Sequence, residues 1–272
     1  MKILYVSDLD STLLRSDATM SPFTRDILNA LAEKGMLFSY ATARSAKTAS
    51  KVTEGLKGDI PIIVYTGTFI MENGTHNIIL GNFMTDTEVQ AVKDAVNKYS
   101  LCPITYAYVD GVERFMFDSA VISKSVDDFI KTREGDSRSM AVTGGFEGTL
   151  QGDIFYFTFM EKRELLLPVY DFLKDKCNCL FQPDNYTDNW FLEVMPKEAT
   201  KANSALKLKA LLNADKLVAF GDGYNDIKLF EVADECYAVG NAEAELKIIA
   251  TGVIGTCDED GVAKWLLENF KE

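Results

Sequence analysis

The chain has 272 residues, a length that suits one large domain or two sharing a boundary. Hydrophobic residues make up 47% and charged residues 25%, near globular averages, which excludes a disordered, collagen-like or disulfide-stapled chain. Asp and Glu number 41 against 28 Lys and Arg, and the net charge of −13 repels phosphate backbones and anionic lipid, so neither nucleic acid nor a membrane is expected as a partner.

The first apolar run is broken by Asp8 and Asp10 and has no small-residue cleavage site, so it does not read as a signal peptide. No stretch approaches the roughly 18 uncharged apolar residues of a spanning helix. The cysteines (Cys102, Cys177, Cys179, Cys236, Cys257) are odd in number and scattered, which predicts reduced thiols and a cytoplasmic protein. The single histidine, His76, follows an Asn73-Gly74 turn, so histidine chemistry is not expected.

In chain order, short β-rich apolar runs alternate with helical periods, the pattern of crossover units and a parallel sheet. Strands are predicted at Ile3 to Ser7, Leu37 to Ala41, Ile60 to Tyr65 and Leu217 to Gly221, with shorter ones at Cys236 to Val239 and Gly252 to Gly255. Ser21-Pro22 opens a helix carrying Ile27, Leu28 and Leu31, and Gly35 closes it, giving one βαβ unit. Asn73-Gly74 and Asp110-Gly111 are hairpin signals. The middle reads as a helix (Thr85 to Tyr99), the second hairpin, a helix near Val121 to Lys131, a polar loop (Gly135 to Gly152), a strand (Ile154 to Met160), a helix (Glu161 to Lys176) and a strand near Leu180. Phe191 to Met195 is expected to return to the first sheet. The fold class is therefore α/β, a Rossmann-like doubly wound parallel sheet core (1–82 and 190–272) with an inserted α+β cap domain (83–189).

Asp8 and Asp10 follow the first strand, and two-residue alternation would turn both carboxylates the same way, with Leu9 opposite. Like charges there need a cation between them or a retained proton. Alone, the pair is equally a solvated strand end and a turn cap. Gly221-Asp222-Gly223-Tyr224-Asn225-Asp226 follows another strand, and in a parallel sheet both strand ends open on one carboxyl edge, where ligands bind. Four carboxylates without histidine suggest a hard cation, and Mg²⁺ fits; a plain turn explains the second motif by itself. Thr42 at the second strand's end, with a helix expected just after it, is either a phosphate ligand or an N-cap. Lys201, just after the N-cap candidate Thr200, opposes the helix dipole by some tenths of a kcal/mol. It reads either as a cation awaiting an anion or as a solvated lysine.

Together, Asp8-x-Asp10-x-Thr12, Thr42, Lys201 and Gly221-Asp222-x-x-Asn225-Asp226 resemble, in order and kind, the four motifs of the haloacid dehalogenase superfamily of phosphohydrolases. The insertion after the second motif is similar to the Cof-type branch with a class IIB cap. Val239-Gly240-Asn241-Ala242 and Asp260-Gly261-Val262-Ala263 extend the likeness through the core, while the cap matches only in size and pattern. The resemblance implies that Asp8 is the nucleophile forming an aspartyl-phosphate and Asp10 the acid and base. It implies Mg²⁺ held by Asp8, the Asp10 carbonyl, Asp222 and Asp226, and phosphate held by Leu9, Thr42, Ala43, Lys201 and Asn225. Ser11, Ala43 and Thr66-Gly67-Thr68 depart from the family's Gly, Gly and Asn-Gly-Ala. The function implied is hydrolysis of a small phosphorylated metabolite, such as a sugar phosphate, under a closing cap. A phosphomutase of the same superfamily and a non-catalytic phosphometabolite sensor are the alternatives, while the missing G-x-G-x-x-G disfavours a dinucleotide-binding protein. Tyr106, Tyr108, Arg114, Phe115, Asp118 and Arg138 are the cap residues expected to reach a substrate; the substrate itself and the oligomeric state are not legible.

Overall fold

The computed structural model describes residues 1–184 and 187–271. It divides into two compact units, Met1–Gly81 with Ala199–Glu272, and Asn82–Glu198.

The first unit begins with β1 (Ile3–Ser7), whose Leu4 to Ser7 are buried, and α1 (Pro22–Glu33). The Ser21 hydroxyl accepts from the Thr24 N–H, Pro22 opens the helix, and Leu28 and Leu31 form its buried stripe. β2 (Leu37–Tyr40) runs parallel to β1, which completes the expected βαβ unit. A loop, α2 (Ala46–Val52) and β3 (Ile62–Val64) follow. β3, β4 (Phe69–Met71) and β5 (Ile78–Gly81) make a small antiparallel sheet, joined to the end of β2 by a parallel bridge between Ala41 and Ile63.

The second unit contains α3 (Asp86–Tyr99), β6 (Ile104–Val109), β7 (Val112–Phe117), α4 (Lys124–Lys131), β8 (Ser139–Ala141), α5 (Gly145–Gly148), β9 (Asp153–Glu161), α6 (Arg163–Leu173), β10 (Asn178–Pro183) and β11 (Trp190–Met195). Thr85 and Glu88 close a capping box at the start of α3, and Asp110-Gly111 turns the β6–β7 hairpin with both residues at positive φ. The sheet order is β10-β11-β9-β6-β7-β8, antiparallel except for the β7–β8 pair. One face buries Phe157, Phe159, Leu192 and Val194 with Val92 of α3 and Leu166 and Val169 of α6. The other carries a smaller cluster of Ile104, Phe115, Phe117 and Met160 with Val126 of α4.

Two expectations are corrected here. Residues 135–152 are not all loop, since they supply β8 and α5. Phe191 to Met195 does not return to the first sheet: it lies in β11, antiparallel to both β10 and β9, and the units part after Glu198 rather than before Trp190. The sequence carries the reason. Leu192 and Val194 alternate with Glu193, the mark of a half-covered antiparallel strand rather than of a strand buried on both faces.

The first unit resumes with α7 (Lys201–Leu211), β12 (Lys216–Gly221), α8 (Ile227–Val232), β13 (Glu235–Ala238), α9 (Ala244–Ile249), β14 (Gly252–Val253) and α10 (Gly261–Asn269). Its main sheet is all parallel in the order β14-β13-β12-β1-β2. From β1 the chain steps one way to β2, and from β12 it steps the other way to β13 and β14. Right-handed crossovers in opposite directions put their helices on opposite faces, which makes the sheet doubly wound. The reversal falls between β1 and β12, where Ser7 is level with Phe220, so the residues after these two strands share the switch-point crevice. All five cysteines are free. Among the described residues no helix is long and apolar enough to cross a membrane.

Candidate active site

Asp8 is the first residue past β1, and its N–H donates to the Phe220 carbonyl of β12 at 2.9 Å. On the neighbouring strand end, Asp222 follows β12, and a tight turn at Tyr224–Asp226 folds Asp226 back beneath it. Asp226 Oδ2 accepts from the N–H groups of Asp222 (3.1 Å) and Gly223 (3.2 Å). A Cβ on Gly221 would lie 2.6 Å from that oxygen, so the fold-back needs glycine there. Asp8, Asp222 and Asp226 each present one oxygen, all within 4.8 Å of one another. The Thr12 hydroxyl donates to Asp222 Oδ1 at 2.8 Å and fixes that carboxylate.

Lys201 enters the same cluster. Thr200 caps α7 by accepting from the Asn203 N–H, and Lys201 in the first turn is only 1% exposed. Its ammonium donates to Asp226 Oδ1 at 2.7 Å and sits 2.8 Å from Asp8 Oδ1, so the reading as a solvated lysine does not hold. Burial would lower its pKa, but Asp226 and Asp8 outweigh burial and hold it above the usual lysine range. The start of α7 is seated by Gly67 (φ +95°), where a Cβ would fall 2.2 Å from the Thr200 carbonyl, and by the Ser204 hydroxyl donating to the Gly67 carbonyl.

Burial pushes the Asp8 carboxyl well above the ordinary range; Lys201 opposes the shift, and Asp226 and Asp222 add to it. Asp222 is raised too, by burial and then by Asp226. Three carboxylates against one ammonium leave two negative charges uncompensated. An all-oxygen donor set that is short of positive charge fits a hard divalent cation.

Asp10 does not join this group. β1 stops at Ser7, and residues 9–13 form an irregular helical turn with Ser11 at φ 57°, so strand alternation no longer sets the direction of Asp10. Its carboxylate, 47% exposed, accepts from Arg44 Nε at 2.8 Å and Nη2 at 2.5 Å, a forked pair. The expected convergence of four carboxylates is thus three side chains plus a fourth held apart by Arg44. Ser11 occupies a left-handed position that favours glycine, and Asn241 Nδ2 steadies the turn by donating to the Ser11 carbonyl at 2.8 Å.

Thr42 is fully buried beyond β2, but no helix begins just after it: α2 starts at Ala46 with Ser45 as its cap. The Thr42 hydroxyl accepts from the Arg44 N–H at 3.1 Å, and the 42–44 loop is braced by Thr42 N–H to Ile63, Thr66 N–H to Thr42 and Tyr65 N–H to Arg44. Ala43 lies in that loop, partly buried. The side chain of Leu9 is in the core, its backbone directly after Asp8. Asn225 is partly buried in the Tyr224–Asp226 turn. Sequence reasoning missed Arg44, Thr12 as a brace for Asp222, and the hold of Asn241 on the Ser11 turn. The only signal for Arg44 was its place two residues after Thr42, in the loop facing the first strand's end.

Residues 5–266 match the haloacid dehalogenase-like hydrolase family. The 5-amino-6-(5-phospho-D-ribitylamino)uracil phosphatase YitU of Bacillus subtilis is 24% identical over 273 residues, 98% of this chain and 97% of that protein. A second phosphatase of the same name from that organism, YwtE, is 25% identical, covering 95% of each chain. A solved haloacid dehalogenase-like hydrolase from Bacteroides thetaiotaomicron, 22% identical, shares the fold with a TM-score of 0.76 over 99% of this chain and all of that one.

Proposed function

The chain belongs to the haloacid dehalogenase-like hydrolase family and is a phosphoric monoester hydrolase of its Cof-type branch, and we propose that it hydrolyses small organic phosphomonoesters, sugar phosphates among them, through a phosphorylated Asp8 with Mg²⁺ bound. The carrying observation is the group of three carboxylates at the switch point with the buried Lys201 against two of them. The two relatives from Bacillus subtilis are named for a phosphorylated ribityl compound, which supports a small metabolite as substrate, and the charge of −13 speaks against nucleic acid.

Asp8, the Asp10 carbonyl, Asp222 and Asp226 would hold the cation, which when bound offsets the charge of the phosphate and of the attacking carboxylate. Without compensation, one carboxylate and one phosphate charge about 4 Å apart repel by about 4 kcal/mol at an effective dielectric near 20. Lys201 reduces that repulsion from the protein side. An Asp8 oxygen bonds to phosphorus as the ester oxygen leaves with a proton from Asp10; Asp10 then takes a proton from the water that frees Asp8. Arg44 holds Asp10 as a carboxylate at rest; on parting from Arg44, Asp10 takes up a proton from solvent and delivers it to the leaving oxygen, and Thr42, Lys201, Asn225 and the backbone at Leu9 and Ala43 hold the phosphoryl oxygens.

Inorganic phosphate release from hexose, pentose and polyol phosphates, before and after EDTA treatment, tests this reading. Release is expected to stop on chelation, return with Mg²⁺, and fall on the order of 10⁴-fold in Asp8→Asn. Undiminished release in the chelated protein or in Asp8→Asn contradicts it.

A further inference from the structure

At the outer edge of its parallel sheet the first unit holds a cavity of about 250 Å³ that shares no residue with the carboxylate cluster. It is lined by Leu28 and Ala32 of α1, Phe38 and Tyr40 of β2, and Leu56 and Ile62 among others. The exposed Lys57 and Asp59 also line it, so solvent reaches it. The sequence accounts for the space. β2 is the last strand of its sheet, and β3 meets it only at the bridge between Ala41 and Ile63. Pro61, just before β3, has no N–H with which to extend that pairing, and its carbonyl is taken by the Ser39 hydroxyl at 2.6 Å. The wall opposite β2 is fixed by side chains from elsewhere in the unit. Asn29 Nδ2 donates to the Gly55 carbonyl (3.0 Å), the Lys57 N–H donates to Asn29 Oδ1 (2.7 Å), and Asn73 Nδ2 donates to the Gly58 carbonyl (3.0 Å). The cavity is therefore preformed, as small-molecule sites usually are.

Tyr40 supplies its buried polar group. The residue is 2% exposed, and its hydroxyl has no hydrogen-bond partner among the described residues. The Thr53 hydroxyl is beside it but donates to the Ala49 carbonyl at 3.0 Å and forms no bond with it. Burial pushes the phenol above its ordinary value, so it stays protonated and able to donate. An unpaired buried hydroxyl destabilises a fold, and so does an unfilled apolar cavity, in proportion to its volume. One molecule that fills the space and accepts from Tyr40 relieves both. A cavity of about 150 Å³ already admits benzene, so this one takes a ring with a short substituent. An ionised ligand would give up its water for apolar walls and a single neutral hydroxyl, which excludes a charged one.

We propose that this cavity is a binding site for a small uncharged organic molecule, about the size of a substituted benzene, which presents one acceptor oxygen to the Tyr40 hydroxyl and apolar surface to Leu28, Phe38, Leu56 and Ile62. The site is independent of the phosphatase reading, and its test needs no turnover.

The probes are acetophenone and α-methylstyrene, two molecules of the same shape in which a carbonyl oxygen is exchanged for CH₂. Dissociation constants from ligand-observed NMR are expected to favour acetophenone by about 3- to 10-fold in the wild-type protein, the worth of one neutral hydrogen bond. Tyr40→Phe keeps the ring and loses only the hydroxyl; it should bring that ratio close to one while binding α-methylstyrene as the wild type does. Ala32→Leu fills the cavity and should remove the binding of both. An unchanged ratio in Tyr40→Phe overturns the site, as does undiminished binding in Ala32→Leu or a wild-type protein that takes up neither probe at millimolar concentration because the cavity holds water alone. If Ala32→Leu does not fold, the ratio in Tyr40→Phe decides by itself.

Discussion

The protein buries carboxylates in two places and treats them oppositely. At the switch point of the parallel sheet, Asp8 and Asp226 share the Lys201 ammonium, backbone N–H groups hold the second oxygen of Asp226, and Thr12 holds one oxygen of Asp222. In the antiparallel sheet of the second unit, Glu193 has Tyr156 beside it, and its second oxygen has no partner among the described residues. The first site carries more negative charge than its one ammonium balances; the second is a buried carboxyl held by a hydroxyl. Burial raises the pKa in both, and the neighbouring charge decides what kind of partner each can accept.

The sharpest way to break this contrast is to remove the counter-charge from the first site. Lys201→Met leaves Asp8 and Asp226 buried without a cation, and chemical denaturation should show a loss of about 3–5 kcal/mol. Added Mg²⁺ should restore part of it, because a ligand that binds the folded state alone stabilises it. A variant as stable as wild type would mean that the ammonium does not balance the cluster.

The second site should respond in the other direction. The Glu193 carboxyl titrates at about 7 when folded and near 4.3 when unfolded, so the folded state binds the extra proton between these values. Its contribution is fully present below about pH 4 and is lost as pH rises to about 7, by about 4 kcal/mol in total. Glu193→Gln should lack this decline and be the more stable protein at pH 8, as measured by denaturant unfolding across that range. Parallel curves for the two proteins would remove the contrast.

Smaller effects refine the picture at the first site. Arg44→Ala frees the Asp10 carboxylate and should lower kcat on the order of 10- to 100-fold with less change in KM; an unchanged kcat would make the forked pair incidental. Ser11→Gly relieves a left-handed residue and should raise stability by about 0.5–1 kcal/mol in thermal unfolding. A loss instead would show that the Ser11 side chain contributes more than its backbone costs.

The core was legible in the sequence because its determinants are local. An apolar run followed by acidic residues fixes both a strand and what stands at its end, and parallel pairing brings Asp8 and Asp222 together whatever the intervening chain does. Lys201 was legible for a related reason, since its position against the helix dipole asks for an anion. Asp10 was misread because alternation was extended one step past the end of β1, into a turn whose Ser11 conformation no periodicity encodes. Arg44 escaped because its role depends on a loop held by Ile63 to Thr66, contacts made across distant sequence. The placement of Phe191 to Met195 failed because an apolar run does not name its sheet, although Glu193 between Leu192 and Val194 already marked a strand covered on one face. Glu193 drew no notice on its own account, since a single glutamate in a strand says nothing about which of its oxygens will go unpaired.

The central claim is that Asp8 carries the phosphoryl group during turnover. Acid quenching in the steady state, borohydride reduction of any acyl phosphate and peptide mass spectrometry test it directly. The account predicts homoserine in place of Asp8 in turning-over protein and none in protein quenched without substrate. Steady phosphate release with Asp8 unmodified, or with reduction at another carboxylate, would contradict it.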